Sequence, residues 1–133
     1  MAKVACYIDG FNLYHSLIVY CPRCQKYFQA REEKRTDVNI AIKLFQTAMD
    51  NSWDKALIIS GDSDLIPAIE AIKSSYPLKR IGIVIPIGRR AEELKNVSDF
   101  YHKIKEKHLS SCQFPDKIEI SGSQFILKPP SWI

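Results

Sequence analysis

The sequence predicts an α/β fold, a three-layer α/β/α sandwich with a mainly parallel central sheet. Three observations lead there. Val4–Ile8, Ala56–Ser60 and Ile81–Ile85 are short and apolar almost throughout, as strands buried in a parallel sheet read. Stretches with helical spacing lie between them, and alternating strands and helices mean parallel pairing covered on both faces. The composition, 46% hydrophobic and 26% charged over 133 residues, is that of a globular domain. It excludes a disordered, collagen-like or coiled-coil chain, and the length suits one domain with its own core.

The elements follow in order. Val4–Ile8 is the first strand, ended by Asp9-Gly10, and Cys6 within it reads as a small core hydrophobe. Residues 11–20 fit either a helix start or a second short strand. Residues 21–36 are polar and loop-like. Thr36 is a plausible N-cap for a helix whose apolar positions are Val38, Ala41, Ile42, Phe45, Ala48 and Met49. Asp37 falls in its first turn, where the helix dipole favours a carboxylate. Asp50-Asn51-Ser52 ends it. After the second strand, Gly61-Asp62-Ser63-Asp64 is a tight turn. A helix follows over 65–74, with Pro67 tolerated in its first turn. Residues 86–90 form a loop after the third strand, 91–97 a short helix and 99–104 one more strand. The domain is expected over residues 1–109, with 110–133 a weakly structured tail.

Charge is 19 basic against 15 acidic residues, a net of +4 that permits a phosphate-rich partner without demanding one. No apolar run reaches the roughly 18 residues of a membrane span. The opening MAKVACYIDG does not read as a secretion signal, so a cytoplasmic protein without a disulfide framework is expected.

The acidic residues carry the functional reading. Ligands of an open parallel sheet bind outside the carboxyl ends of its strands. Asp9 directly follows the first strand, and Asp62 and Asp64 follow the second. Asp37 opens the helix between them, and its convergence on the same rim requires that helix to cross over. Crowded carboxylates repel and raise one another's pKa. A divalent cation makes such a cluster tolerable, and oxygen-only ligands favour Mg²⁺ or Mn²⁺. Such an ion suits phosphodiester hydrolysis. Asn12, Ser60 and Ser63 would add polar groups to the pocket. Against this stands ordinary turn chemistry, in which Asp62 or Asp64 merely caps the next helix.

YIDGFNLY, EKRTDVNIA and ALIISGDSDLIPAIEAI together resemble the NYN domain family, in its LabA-like branch. The resemblance covers roughly residues 3–104. It implies a PIN-like fold, similar also to FLAP-type nucleases, and a metal-dependent ribonuclease with RNA as its partner. The family's acidic and polar positions fall on Asp9, Asn12, Asp37, Asp62 and Asp64. Members usually carry a further strand and helix between the Asn and Thr-Asp motifs. Only 24 residues separate Asn12 from Asp37 here. Either that layer is shortened or the sequence skips a stretch, with Tyr20–Cys21 as the junction.

Asp9, Asp62 and Asp64 are thus the expected Mg²⁺ or Mn²⁺ ligands, with Asp37 a further ligand or an orienter of the attacking water. Arg31, Lys34, Arg35, Arg89 and Arg90 would flank an RNA backbone, and Tyr14, Tyr27 and Phe28 would stack on bases. Ordinary solvated charge is the competing reading for each basic residue, and for Lys103, Lys105 and Lys107 it is the preferred one. His15 and His102 read as structural. Cys21 and Cys24 form one CxxC, which His108 and Cys112 would complete as a Zn²⁺ site if the fold brings them together. One alternative is a non-catalytic RNA-binding or regulatory module with a structural divalent ion. Another is a small-nucleotide or phosphatase-like domain, although Asp9-Gly10-Phe11 lacks the second Asp of aspartyl-phosphate chemistry. No P-loop is present. No membrane partner is expected, and a homodimer is left open.

Overall fold

The computed structural model describes residues 1–13, 34–122 and 124–128. Four strands, β1 (Val4–Ile8), β2 (Lys55–Ile59), β3 (Arg80–Ile85) and β4 (Phe100–Lys103), form one sheet. Their order in space is their order in the chain, and every pairing is parallel. Helix α1 (Lys34–Met49) joins β1 to β2. A 3₁₀ turn (Ser63–Leu65) and α2 (Ile66–Ser75) join β2 to β3, and α3 (Glu92–Val97) joins β3 to β4. The α/β class with a central parallel sheet flanked by helices is therefore as the sequence predicts. No described helix is long and apolar enough to cross a membrane.

Strand alternation sorts the sheet residues onto two faces. Ala56, Ile58, Ile81, Ile83 and Ile85 face a core completed by Leu44 and Ala48 of α1, Ile69 and Ile72 of α2, Leu94 of α3, and Trp53. Right-handed crossovers in a sheet that grows in one direction put each connecting helix on the same side. Val4, Cys6 and Ile8 alternate onto the other face and are exposed. Cys6 is thus a surface thiol among the described residues and not the core hydrophobe its apolar neighbours suggest. On that face the Phe100 ring lies across Gly82, where an added Cβ would come within 2.1 Å of it. His102 meets His108 of α4 (Glu106–Ser111) there, with ring centroids 5.4 Å apart.

Helix α1 differs from its sequence reading. Thr36 lies inside its first turn and not at its cap. Val38, Ile42 and Met49 are exposed, whereas Leu44 and Ala48 are buried. Asn51, with φ of 51°, turns the chain away after the helix. Beyond residue 110 the sequence reading placed no element, yet β5 (Lys117–Ser121) and β6 (Gln124–Leu127) form an antiparallel hairpin.

Candidate metal centre

The carboxyl edge of the sheet is built around Asp9. The backbone N–H of Asp9 continues the β1–β2 ladder to the Ile59 carbonyl, and its side chain is 2% exposed. Its Oδ1 accepts the Asn12 backbone N–H at 2.9 Å, and its Oδ2 accepts the Ser60 hydroxyl at 2.8 Å. Ser60 Oγ in turn accepts the Asp62 backbone N–H at 3.0 Å. The Asn12 side-chain oxygen accepts the Gly61 N–H at 3.1 Å. One buried carboxylate therefore fixes the ends of β1 and β2 and the turn after β2. A buried charge is tolerated where both its oxygens are hydrogen-bonded.

That turn presents two further carboxylates. Asp62 takes an extended conformation and caps the 3₁₀ turn, its Oδ1 accepting the Asp64 N–H at 3.0 Å. Asp37 projects from the first turn of α1. Asp37, Asp62 and Asp64 each offer an oxygen within 4.8 Å of the other two. Burial, then Asp62, Asp9 and Asp64, push the Asp37 carboxyl above its ordinary pKa of 3.8. Three oxygen donors at this spacing, with mutual repulsion to relieve, fit a hard divalent cation. Capping through one oxygen, Oδ1, is compatible with a ligand role for Asp62.

The trio lines a groove of about 620 Å³ with Asp9 and Asn12, Phe11, Val38, Ala41 and Ile42, and Arg89. Gly61 permits this arrangement, since a Cβ there would sit 3.0 Å from Arg89 Cβ and 3.4 Å from Asn12 Oδ1. Ser63 and Arg90 line an adjoining pocket of about 270 Å³, across the same turn.

Of the residues singled out from the sequence, the structure thus gathers Asp9, Asn12, Asp37, Asp62, Asp64 and Arg89. Within that set Asp37 joins Asp62 and Asp64, and Asp9 lies deeper with both oxygens engaged. Ser60 is fully buried as a strut and does not face the groove. Arg35 is exposed on the first turn of α1. Cys21, Cys24, Arg31, Tyr14, His15, Tyr27 and Phe28 lie outside the described residues. Of the zinc set, His108 caps α4 by accepting the Lys105 N–H at Nδ1, and Cys112 is exposed just beyond that helix. Phe11, Val38, Ala41 and Ile42 were missed as groove residues. Helical spacing marks three of them as core positions, and only their neighbourhood to Asp37 could have suggested otherwise.

Comparison with known proteins bears on the fold and the family. The solved structure of a protein of unknown function, VPA0982 from Vibrio parahaemolyticus, shares the fold with a TM-score of 0.57 at 17% identity, over 79% of this chain and 94% of that one. The 6-hydroxy-3-succinoylpyridine 3-monooxygenase HspA of Pseudomonas putida is 32% identical over 106 residues. Those residues are 76% of this chain but only 33% of that protein. The sequence profile of the NYN domain matches residues 15–105, a stretch that contains Asp37, Asp62 and Asp64 and begins just after Asn12. The chain belongs to the NYN domain family, a branch of the PIN-like nucleases.

Proposed function

We propose that this protein is a divalent-metal-dependent ribonuclease that hydrolyses RNA phosphodiester bonds in the groove at the carboxyl edge of its sheet. One observation carries the reading: Asp37, Asp62 and Asp64 converge to within 4.8 Å and line one groove. Family membership supports RNA as the substrate class. The monooxygenase name of the Pseudomonas relative belongs to a protein three times as long as the matched stretch, and its activity is not carried over.

Asp37, Asp62 and Asp64 would hold Mg²⁺ or Mn²⁺. Bound there, such a cation would supply positive charge against the phosphodiester oxygens and would lower the pKa of a water. The chain's own contributions are positional. Asp9 holds the Asn12 and Ser60 groups that fix the turn bearing Asp62 and Asp64. The Asn12 backbone and side chain tie that turn to the segment after β1. Arg89, packed on Gly61, places a cation at the rim of the groove for a phosphate. The raised pKa of Asp37 means that it takes up a proton at a higher pH than an ordinary aspartate, and protonation would weaken the ligand set.

The test is cleavage of a labelled single-stranded RNA with Mn²⁺, comparing wild type with Asp62→Asn and Asp64→Asn. Each variant should lose activity by about a hundredfold or more, while its circular dichroism stays unchanged. Undiminished cleavage by either variant would reject the assignment. RNA binding without turnover in the wild type would favour the non-catalytic module.

A further inference from the structure

We infer that the apolar wall of the groove is a seat for an unpaired nucleobase next to the phosphodiester at the carboxylates. The inference rests on the nucleic-acid reading of the groove but not on hydrolysis. Val38 and Ile42, one helical turn apart on α1, are 57% and 51% exposed and line the same groove as the aspartates. Ala41 and Phe11 extend the wall. An amphipathic helix ordinarily turns such residues inward. Here α1 satisfies its core contact with Leu44 and Ala48, and among the described residues no layer covers Val38 and Ile42, which follow Asp37 on the helix.

The groove therefore asks two things of one occupant. Next to the carboxylates it needs an anion that shares their cation, with Arg89 at the rim. Along α1 it needs a flat apolar surface in the same groove. A nucleotide offers both, as a phosphate joined to a π-face. In a duplex that face is covered by its stacked neighbours. A base that packs on Val38 and Ile42 has left the stack, as in sequence-tolerant recognition of single strands. Aliphatic packing carries no hydrogen-bond code, so the seat selects for unpaired nucleotides and not for a base sequence.

The experiment measures fluorescence anisotropy with Ca²⁺ present, on three probes of equal length: a single-stranded RNA, its duplex, and a strand of abasic spacers. Wild type should bind the single strand at least about tenfold tighter than either of the others. The Val38→Ser/Ile42→Ser double variant should lose that advantage on the intact strand and bind the abasic strand as wild type does. Ile42→Leu should keep it. Both changes are on exposed positions, and an unaltered melting temperature verifies the fold. Equal losses on intact and abasic strands, or duplex bound as tightly as single strand, would overturn the seat. Base-dependent binding with no cleavage in Mn²⁺ would remove the hydrolytic reading and leave the seat standing. Cleavage with no dependence on the wall would do the reverse.

Discussion

The two edges of the same sheet treat charge in opposite ways. At the amino edge, charged groups meet partners. Lys79, 8% exposed, donates to the Trp53 carbonyl at 2.6 Å and to Asn51 Oδ1 at 2.9 Å, and lies 4.9 Å from the Trp53 ring centroid. Asp99 accepts the Ile81 N–H at 2.7 Å and pairs with Lys73 and Arg80 at 3.3 and 3.1 Å. Burial alone would raise its pKa, but these three partners hold it below the ordinary value. At the carboxyl edge, burial and then the charges of Asp62, Asp9 and Asp64 move the Asp37 pKa the other way. Like charges left facing one another lower stability, and a cation is what would reverse that. The contrast separates an edge whose charges are satisfied within the protein from the edge at which the proposed cation would sit.

The largest effect expected at the amino edge comes from Lys79→Ala. It strands the Trp53 carbonyl and removes the stem packed beside the indole. The cost should be about 3 kcal/mol in urea denaturation. Asp99→Asn follows at about 1–2 kcal/mol, because the amide still accepts from Ile81 but no longer pairs with Lys73 and Arg80. Mn²⁺ should raise the melting temperature of the wild type, and neither variant should change that rise. A lost Mn²⁺ response in either would mean that the two edges are not independent.

How much of this was legible in the sequence depended on the range of the interaction. The strands read correctly because four or five consecutive apolar residues need no tertiary information. The aspartates after β1 and β2 lie at one edge, as parallel topology alone requires, although the expected ligand trio of Asp9, Asp62 and Asp64 is not the one whose oxygens gather, which is Asp37, Asp62 and Asp64. Asp37 was harder: its place depends on where α1 begins relative to the sheet, and the helix starts before the Thr36 cap that local chemistry suggests. The division of labour between Asp9 and Asp37 was not legible at all. It depends on which carboxylate oxygens are already engaged, and the Ser60 hydroxyl that engages Asp9 is 51 residues away. The exposure of Cys6, Val38 and Ile42 was hidden for a related reason. Apolar spacing tells which residues share a side, not whether another layer covers it. The hairpin of β5 and β6 was masked by the prolines and serines around it.

The smallest effect is also the one with the most diagnostic sign. Asp37→Asn removes one charge from a crowded, part-solvated cluster, so it should stabilise the metal-free protein by about 0.5 kcal/mol. It should also diminish the Mn²⁺-induced rise in melting temperature. The pH dependence sharpens this. Asp37 has a folded pKa above the unfolded value near 3.8, so the native state holds more protons across that window. Its contribution therefore falls as pH rises from about 3.8 through the raised value. Asp99 has a folded pKa below its unfolded one, so its contribution is complete above about 3.8 and is lost as pH falls beneath it. Metal-free stability measured from acid toward neutrality should thus gain from Asp99 first and then give back part of the gain through Asp37. Asp37→Asn should abolish the second limb and leave the first. Saturating Mn²⁺ should also remove the second limb in the wild type, because a bound cation favours the charged carboxylate that protons otherwise neutralise. A second limb that survives Asp37→Asn would place the titrating repulsion elsewhere, and the carboxyl edge would lose its claim to be the electrostatically frustrated one.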